Sequence, residues 1–485
     1  MLCQIGRRLG SCNKIVSSPS LPSARVLFAR FGLPVLGTFA VLASGMAYFL
    51  WWGPVVHSEP IWLPPGDIWG TIRSSDYAVW GYFGGIYSAG AGLVTFPGIL
   101  LALAPVVALS NFLRLSVDFP YFMPHPTAWL LIGPYVFLIG CLPLFALDAA
   151  ARRLGLSMSR RGLLMACEVA AIWQVLVLWG HPEDTIAIGL ACYGIMVAYD
   201  GRWVASGWLF GVALAFQPLV LLVYPVALLA LSRHESIRVS EFAGMIARSV
   251  VVPAALLVVP LIASWRSSTR ALLDQPNYPG VDHPTPWMVL APRLRSGLAA
   301  SALRGNLRAQ AASSYHHPGV TGPLARGLGR SRRSLVGSAR YALREEVSAG
   351  PPRALALIVG AVTALRLRNL NKDPLAIAWL ASACLALRCF FEPVMVSFYV
   401  WPAFAVALLV AAKRGIVRLL SCFAIGIGAS VWGFVNTDAW TYWLVLVFLL
   451  AAMLVAAGAG QRSSGRAPRS RQGPVPSTEA SPIPA

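Results

Sequence analysis

Charge is what this sequence lacks most. Only 12% of its 485 residues are Asp, Glu, Lys or Arg, roughly half the share found in soluble domains, while 57% are hydrophobic. This excludes a chain of water-facing domains and leaves a polytopic membrane protein. Runs of about 20 apolar residues, enough to cross the hydrocarbon as a helix, recur along nearly the whole length. Acids are scarcer than bases, 19 against 39, yet the excess of base does not mark a nucleic-acid partner. No aromatic-basic motif accompanies it, and the basic residues sit between apolar runs and in the tail, where topology signals and contact with membrane lipids account for them. None of the eight cysteines falls in a segment placed outside, so neither a disulfide framework nor a zinc site is expected. The first apolar run is too long for the core of a signal peptide and lacks a clear small-residue cleavage site. It is expected to stay as an anchor.

The charges order the rest. Residues 1–30 form a basic amino terminus with Arg7, Arg8, Lys14, Arg25 and Arg30, expected in the cytoplasm, and a span over Phe31 to Trp52 follows. Residues 31–460 form the membrane domain, with external loops at about 53–126 and 265–352. Within the first loop the apolar segment 93–109 reads as re-entrant, because the arginines after the next run hold that run's far end inside. The run Val204 to Leu231 is interrupted by Gln217-Pro218, and proline breaks a helix, so two short helices are expected there. The tail 461–485, rich in Arg, Ser, Pro and Gly, reads as a disordered cytoplasmic extension. The fold class is an all-α polytopic membrane protein with about twelve crossings and one re-entrant segment. Both termini are expected in the cytoplasm.

This topology gathers the unusual polar residues toward the outer face. Asp76, within Arg73-Ser74-Ser75-Asp76-Tyr77 and ahead of Trp80, Tyr82 and Tyr87, is the first candidate for a general base, since a carboxyl group against apolar rings is tuned toward base chemistry. The bland alternative is a loop aspartate capping a turn. Asp67, in Pro65-Gly66-Asp67, resembles turn chemistry more closely but is a second candidate. His181, Glu183 and Asp184 lie just before a helix; an N-cap explains one of them, not all three. They could hold a divalent cation, although their spacing matches no metal motif. Arg388 sits inside an apolar span, where a cation needs an anionic partner; Glu392 at i+4 and a lipid phosphate are the two options. His283, Gln217 and Tyr399 complete the candidate substrate-binding set.

The succession Asp76-Tyr77, Tyr82, Ile86-Tyr87 and Phe96-Pro97, then Gly180-His181-Pro182-Glu183-Asp184, Gly207, Gly211 and Gln217-Pro218, then Phe398-Tyr399-Val400-Trp401-Pro402 resembles the GT-C superfamily. These are polytopic glycosyltransferases that use polyprenyl-phosphate-linked sugars, and the likeness is to their bacterial mannosyltransferase-like branch. It departs from the pattern at Gln217, where lysine is frequent, and at Gly98, where a second proline is usual. The resemblance implies an inverting hexosyltransferase in a bacterial plasma membrane. It would move a mannose-like sugar from a polyprenyl-phosphate donor to a glycolipid or cell-envelope glycan acceptor at the outer face. It implies Asp76 as base, a departing phosphate held by Arg388, His181 and Gln217, and no cofactor or obligatory metal. A membrane transporter or lipid flippase is the rival from another class, and a non-catalytic membrane scaffold is a third reading.

Overall fold

The computed structural model describes residues 24–52, 68–87, 93, 95–117, 128–234, 236, 238–277, 279, 282–294, 346–370, 373–435 and 437–458. The chain is mostly helical. Among the described residues, seven helices are long and apolar enough to cross a membrane: Arg30–Trp51, Trp129–Arg153, Met158–Trp179, Val239–Ala263, Pro374–Phe391, Ser397–Arg414 and Ala439–Gly458. The helices of eight residues or more are, in chain order, α1 (Ala24–Ala47), α2 (Ile68–Val79), α3 (Gly98–Phe112), α4 (Trp129–Gly140), α5 (Leu142–Arg153), α6 (Met158–Trp173), α7 (Pro182–Tyr199), α8 (Trp203–Phe216), α9 (Tyr224–Leu231) and α10 (Val239–Ala263). After the long insertion come α11 (Gly350–Arg366), α12 (Pro374–Phe391), α13 (Trp401–Arg414), α14 (Ile416–Trp432) and α15 (Ala439–Gly458).

Polar contacts sort the helix ends into two groups. At one end Arg153 pairs with Asp200 at 2.8 Å, Arg233 lies over the Tyr199 ring, and Lys413 lies beside Gly155. The turns α5–α6 and α7–α8 and the ends of α9 and α13 therefore share this arginine-bearing end. At the opposite end the start of α7 meets the ends of α8 and α12. Arg161 donates twice to the buried Asp148 carboxylate, both at 2.9 Å, which fastens α5 to α6 by a bidentate pair.

Glycine sets the closest helix approach. Gly207 and Gly211 fall one turn apart on α8 and face the α10 backbone; a Cβ on Gly211 would lie 2.7 Å from the Arg248 carbonyl oxygen. Small residues at this spacing let two helices meet backbone to backbone. Gly211→Val is expected to push α8 off α10 and cost about 1–3 kcal/mol, the usual effect of overpacking, read as a lower thermal midpoint in detergent.

Outside the spans, the Asp438 carboxylate caps α15 by accepting from the amides of Trp440 and Thr441 at 3.1 and 3.0 Å. The side-chain hydrogen bond from Thr441, together with these amides, holds the carboxyl group below its usual range. A depressed folded pKa means stabilisation that is present above the unfolded value and lost as pH falls through the folded one. Asp438→Ala should therefore lower the thermal midpoint slightly at neutral pH and make no difference in acid, which melting across pH 2 to 7 would check.

Two sequence expectations change. The part of 53–126 before the apolar segment, expected as irregular loop, contains α2, and Asp76 lies on this helix. The reason is visible in α2 itself, where Ile68, Ile72 and Ser75 recur at helical spacing and are buried, held by Ser74 and Ser75 donating to the carbonyls of Ile86 and Leu100. The apolar segment 93–109, expected to be re-entrant, supplies most of the 15-residue helix α3. It starts beside α8, where Thr95 donates to the Phe216 carbonyl, and runs antiparallel to α4, as Tyr135 donating to Ala102 and Ala128 donating to Ser116 require. The all-α class also gains five short strands, β1 (Pro276–Asn277), β2 (His283–Pro284), β3 (Arg293–Leu294), β4 (Glu346–Ser348) and β5 (Val394–Met395). Order β1-β4-β3 brings the two flanks of the insertion together, and antiparallel β2-β5 stitches it to the α12–α13 connection. Segments of two or three residues carry no alternating pattern long enough to read from sequence.

Candidate functional site

The start of α7 is the anchor of the site. α6 ends in a π turn over Gln174–Trp179, and Gly180, at φ +70°, reverses the chain so that the His181 amide donates to the Val175 carbonyl. Pro182 then opens α7, with Glu183 and Asp184 in its first turn, where acids favour the positive end of the helix dipole. Glu183 and Asp184 are buried. His181 Nδ1 lies 2.7 Å from Glu183 Oε1, and its ring stacks on Phe398 at 4.1 Å. The carboxylate orients the imidazole and the phenyl ring fixes its plane.

Asp184 faces α8 and α12. Gln217, in extended backbone between α8 and the turn Pro218–Leu222, donates to Asp184 Oδ1 at 2.5 Å. Arg388 Nη1 is 3.7 Å from Asp184 Oδ2, an ion pair without a hydrogen bond. Its Nε is 3.6 Å from Glu392 Oε2, and its guanidinium lies 3.6 Å from the Tyr399 ring centroid. The i+4 pairing read from sequence is present, but Glu392 is not mainly Arg388's partner. Fully buried, it accepts from Arg353 Nε at 3.1 and 3.0 Å, from Arg353 Nη2 at 2.5 Å, and from Asn277 Nδ2 at 3.0 Å. Gln275 also accepts from Arg353. Asp184, Arg388, Glu392 and Arg353 thus form a chain of alternating charge linking α7, α12 and α11, with both flanks of the insertion tied into it.

The structure brings His181, Glu183, Asp184, Gln217, Arg388 and Tyr399 together. His283 serves the loop instead: its Nε2 donates to the Gly433 carbonyl at 2.7 Å and its ring stacks on Tyr442 at 4.3 Å, so it braces β2 against α14 and α15. Asp76 is half-buried, accepts from Asn111 Nδ2 at 2.7 Å, and joins the Asp184 group by no hydrogen bond or ion pair among the described residues. Its neighbours include the packed rings of Tyr77 and Tyr82. Burial raises the nearby Tyr87 phenol well above its usual range, so it stays a donor, to the Thr95 carbonyl at 2.9 Å. Asp67 lies outside the described residues. His, Cys, Asp and Glu do not gather in groups of three able to hold a metal among those residues.

Three residues of this network were missing from the sequence candidates, Arg353, Asn277 and Gln275, and so was Asn111, which holds Asp76 apart from it. Arg353 carried a signal, since a cation directly after the paired prolines Pro351-Pro352 opposes the dipole at a helix start and needs an acid elsewhere. The others are neutral amides whose partners are distant in sequence.

Compared with known proteins, the sequence matches no family model and no curated relative.

Proposed function

We propose that this chain is an integral membrane glycosyltransferase of GT-C-like fold, with about twelve crossings in a bacterial plasma membrane and its termini in the cytoplasm. It transfers a mannose-like sugar, with inversion, from a polyprenyl-phosphate donor to a glycolipid or cell-envelope glycan acceptor at the outer face. The observation that supports this most is the Arg388 guanidinium. It is buried at the end opposite the arginine-bearing one, yet among the described residues its Nη1 donates to nothing and only faces Asp184 at 3.7 Å. A buried donor without a hydrogen bond is costly, and a phosphate oxygen is an acceptor that would satisfy it. Gln217 and His181, on the two segments flanking Asp184, are placed to share the leaving phosphate, and charged or dipolar groups fixed in advance are the largest lever on such a step. Asp76, on α2, removes the proton of the acceptor hydroxyl as the anomeric carbon is attacked.

One observation favours the transporter reading. Glu168, part-way along α6, is buried with no hydrogen-bond partner for either oxygen among the described residues, and intramembrane acids of this kind mark ion pathways. Membranes containing the chain, given a radiolabelled polyprenyl-phosphate sugar, separate the two. Label passing to a larger acceptor supports transfer, whereas label that crosses the bilayer with its donor intact supports transport.

A further inference from the structure

A cavity of about 380 Å³ lies between α5, α7, α12 and α13, toward the arginine-bearing end, within the size range of ligand sites. Its walls are apolar: Ile188, Ala191, Ala381, Leu385, Val406 and Leu409. Along α7 it extends from Ile188 to Asp200, about 18 Å at the rise of an α-helix. It is closed at the deep end, where Ile188 and Leu385 are 1% and 2% exposed. At the other end Met196, Ala378 and Tyr199 are only half-buried, and the wall finishes at Arg153 and Asp200, 48% and 38% exposed. A long, narrow apolar space closed at one end and charged at the other fits a hydrocarbon chain with a polar head.

The charges choose the head. The deep end offers no excess cation, because Arg388 and Arg353 face Asp184 and Glu392 and the buried Glu183 adds a third carboxylate. At the open end Arg152, Arg153, Arg161 and Arg233 outnumber Asp148 and Asp200. Arg153 is half-exposed and uses Nη1 for Asp200 at 2.8 Å and the Met196 carbonyl at 3.1 Å, so the rest of its guanidinium can bind a phosphate at the surface. We propose that this cavity is a binding site for one acyl chain of an anionic phospholipid, whose headgroup phosphate rests on Arg153. The lipid enters from the leaflet at the arginine-bearing end and is separate from any sugar donor. It wedges α5 and α7 against α12 and α13, the helices that carry Asp184 and Arg388 at their far ends.

The test uses the full chain, purified in detergent and stripped of lipid, with phosphatidylglycerol or phosphatidylcholine added back and bound lipid counted by native mass spectrometry. One tightly held phosphatidylglycerol per native chain is expected. Retention should fall by about tenfold in Ala378→Trp, which fills the open end, and stay unchanged in Val258→Trp on the exposed face of α10, because only lipid bound to the folded site is held. If Ala378→Trp does not fold, Met196→Trp carries the same comparison. Arg153→Ala should remove the preference for phosphatidylglycerol. Equal retention in the filled variant, equal retention of phosphatidylcholine by the native chain, or displacement of phosphatidylglycerol by added polyprenyl phosphate would each overturn the proposal.

Discussion

Replacing Glu392 with alanine is expected to cost about 3–5 kcal/mol, the usual penalty when one member of a buried ion pair is removed and its partner is left uncompensated. Here the loss strands Arg353 and leaves Arg388 with Asp184 alone. Arg353 directs Nε and Nη2 at this carboxylate, Asn277 donates to it, and Arg388 Nε lies 3.6 Å from it. The backbone is implicated as well, because the Glu392 carbonyl accepts from the buried Thr285 hydroxyl at 2.6 Å and the Pro393 carbonyl accepts from the Thr285 amide at 2.9 Å. The loop flanks would lose their side-chain anchor while keeping the two-residue β2-β5 pairing. The measurable outcomes are poor recovery of folded protein and a large drop in thermal midpoint. Glu392→Gln, which keeps an acceptor but not the charge, should fall between alanine and the native chain. A Glu392→Ala protein as stable as the native one would mean that the charge network does not hold this end of the bundle together.

Arg388→Met should remove the activity while costing the fold less than Glu392→Ala, since only Asp184 loses its cation. Each acid that Arg388 faces keeps another partner: Asp184 retains Gln217, and Glu392 retains Arg353 and Asn277. Methionine also approximates the volume of the lost side chain against Tyr399 and Cys389, so packing changes little. If Arg388 stabilises the departing lipid phosphate, transfer should fall about 100- to 1,000-fold at unchanged expression, as expected for removal of one charge-stabilising donor. Full activity in this variant would move the phosphate ligand elsewhere in the chain.

The parts of this arrangement that were legible in the sequence are the ones fixed by local chemistry. Long apolar runs give spanning helices because hydrocarbon demands internal hydrogen bonding. Proline at 218 stops α8 because it lacks the amide that a helix needs, and Gly180-His181-Pro182 marks the turn before α7 for the same kind of reason. The Arg388 to Glu392 relation followed from helical spacing alone. What could not be read is the identity of partners across the bundle. Nothing local says that Gln217 meets Asp184 or that Asn277 meets Glu392, and the residue that satisfies Glu392 best, Arg353, sits in a segment assigned to the edge of a loop. Asp76 shows a different limit. Its polar, serine-rich surroundings suggested irregular chain, whereas the buried spacing of Ile68, Ile72 and Ser75 shows that an amphipathic helix was written there with only moderate hydrophobicity.

The most direct measurement is sugar transfer in membranes supplied with a radiolabelled polyprenyl-phosphate sugar, comparing the native chain with Asp76→Asn at matched expression. Asparagine keeps the size of the side chain and a partner for Asn111, so folding should not change. Native transfer that falls by about 100- to 10,000-fold in the variant is the expected result for loss of a general base. Equal transfer by the two proteins, or none by the native chain from any polyprenyl-phosphate donor, would contradict the account.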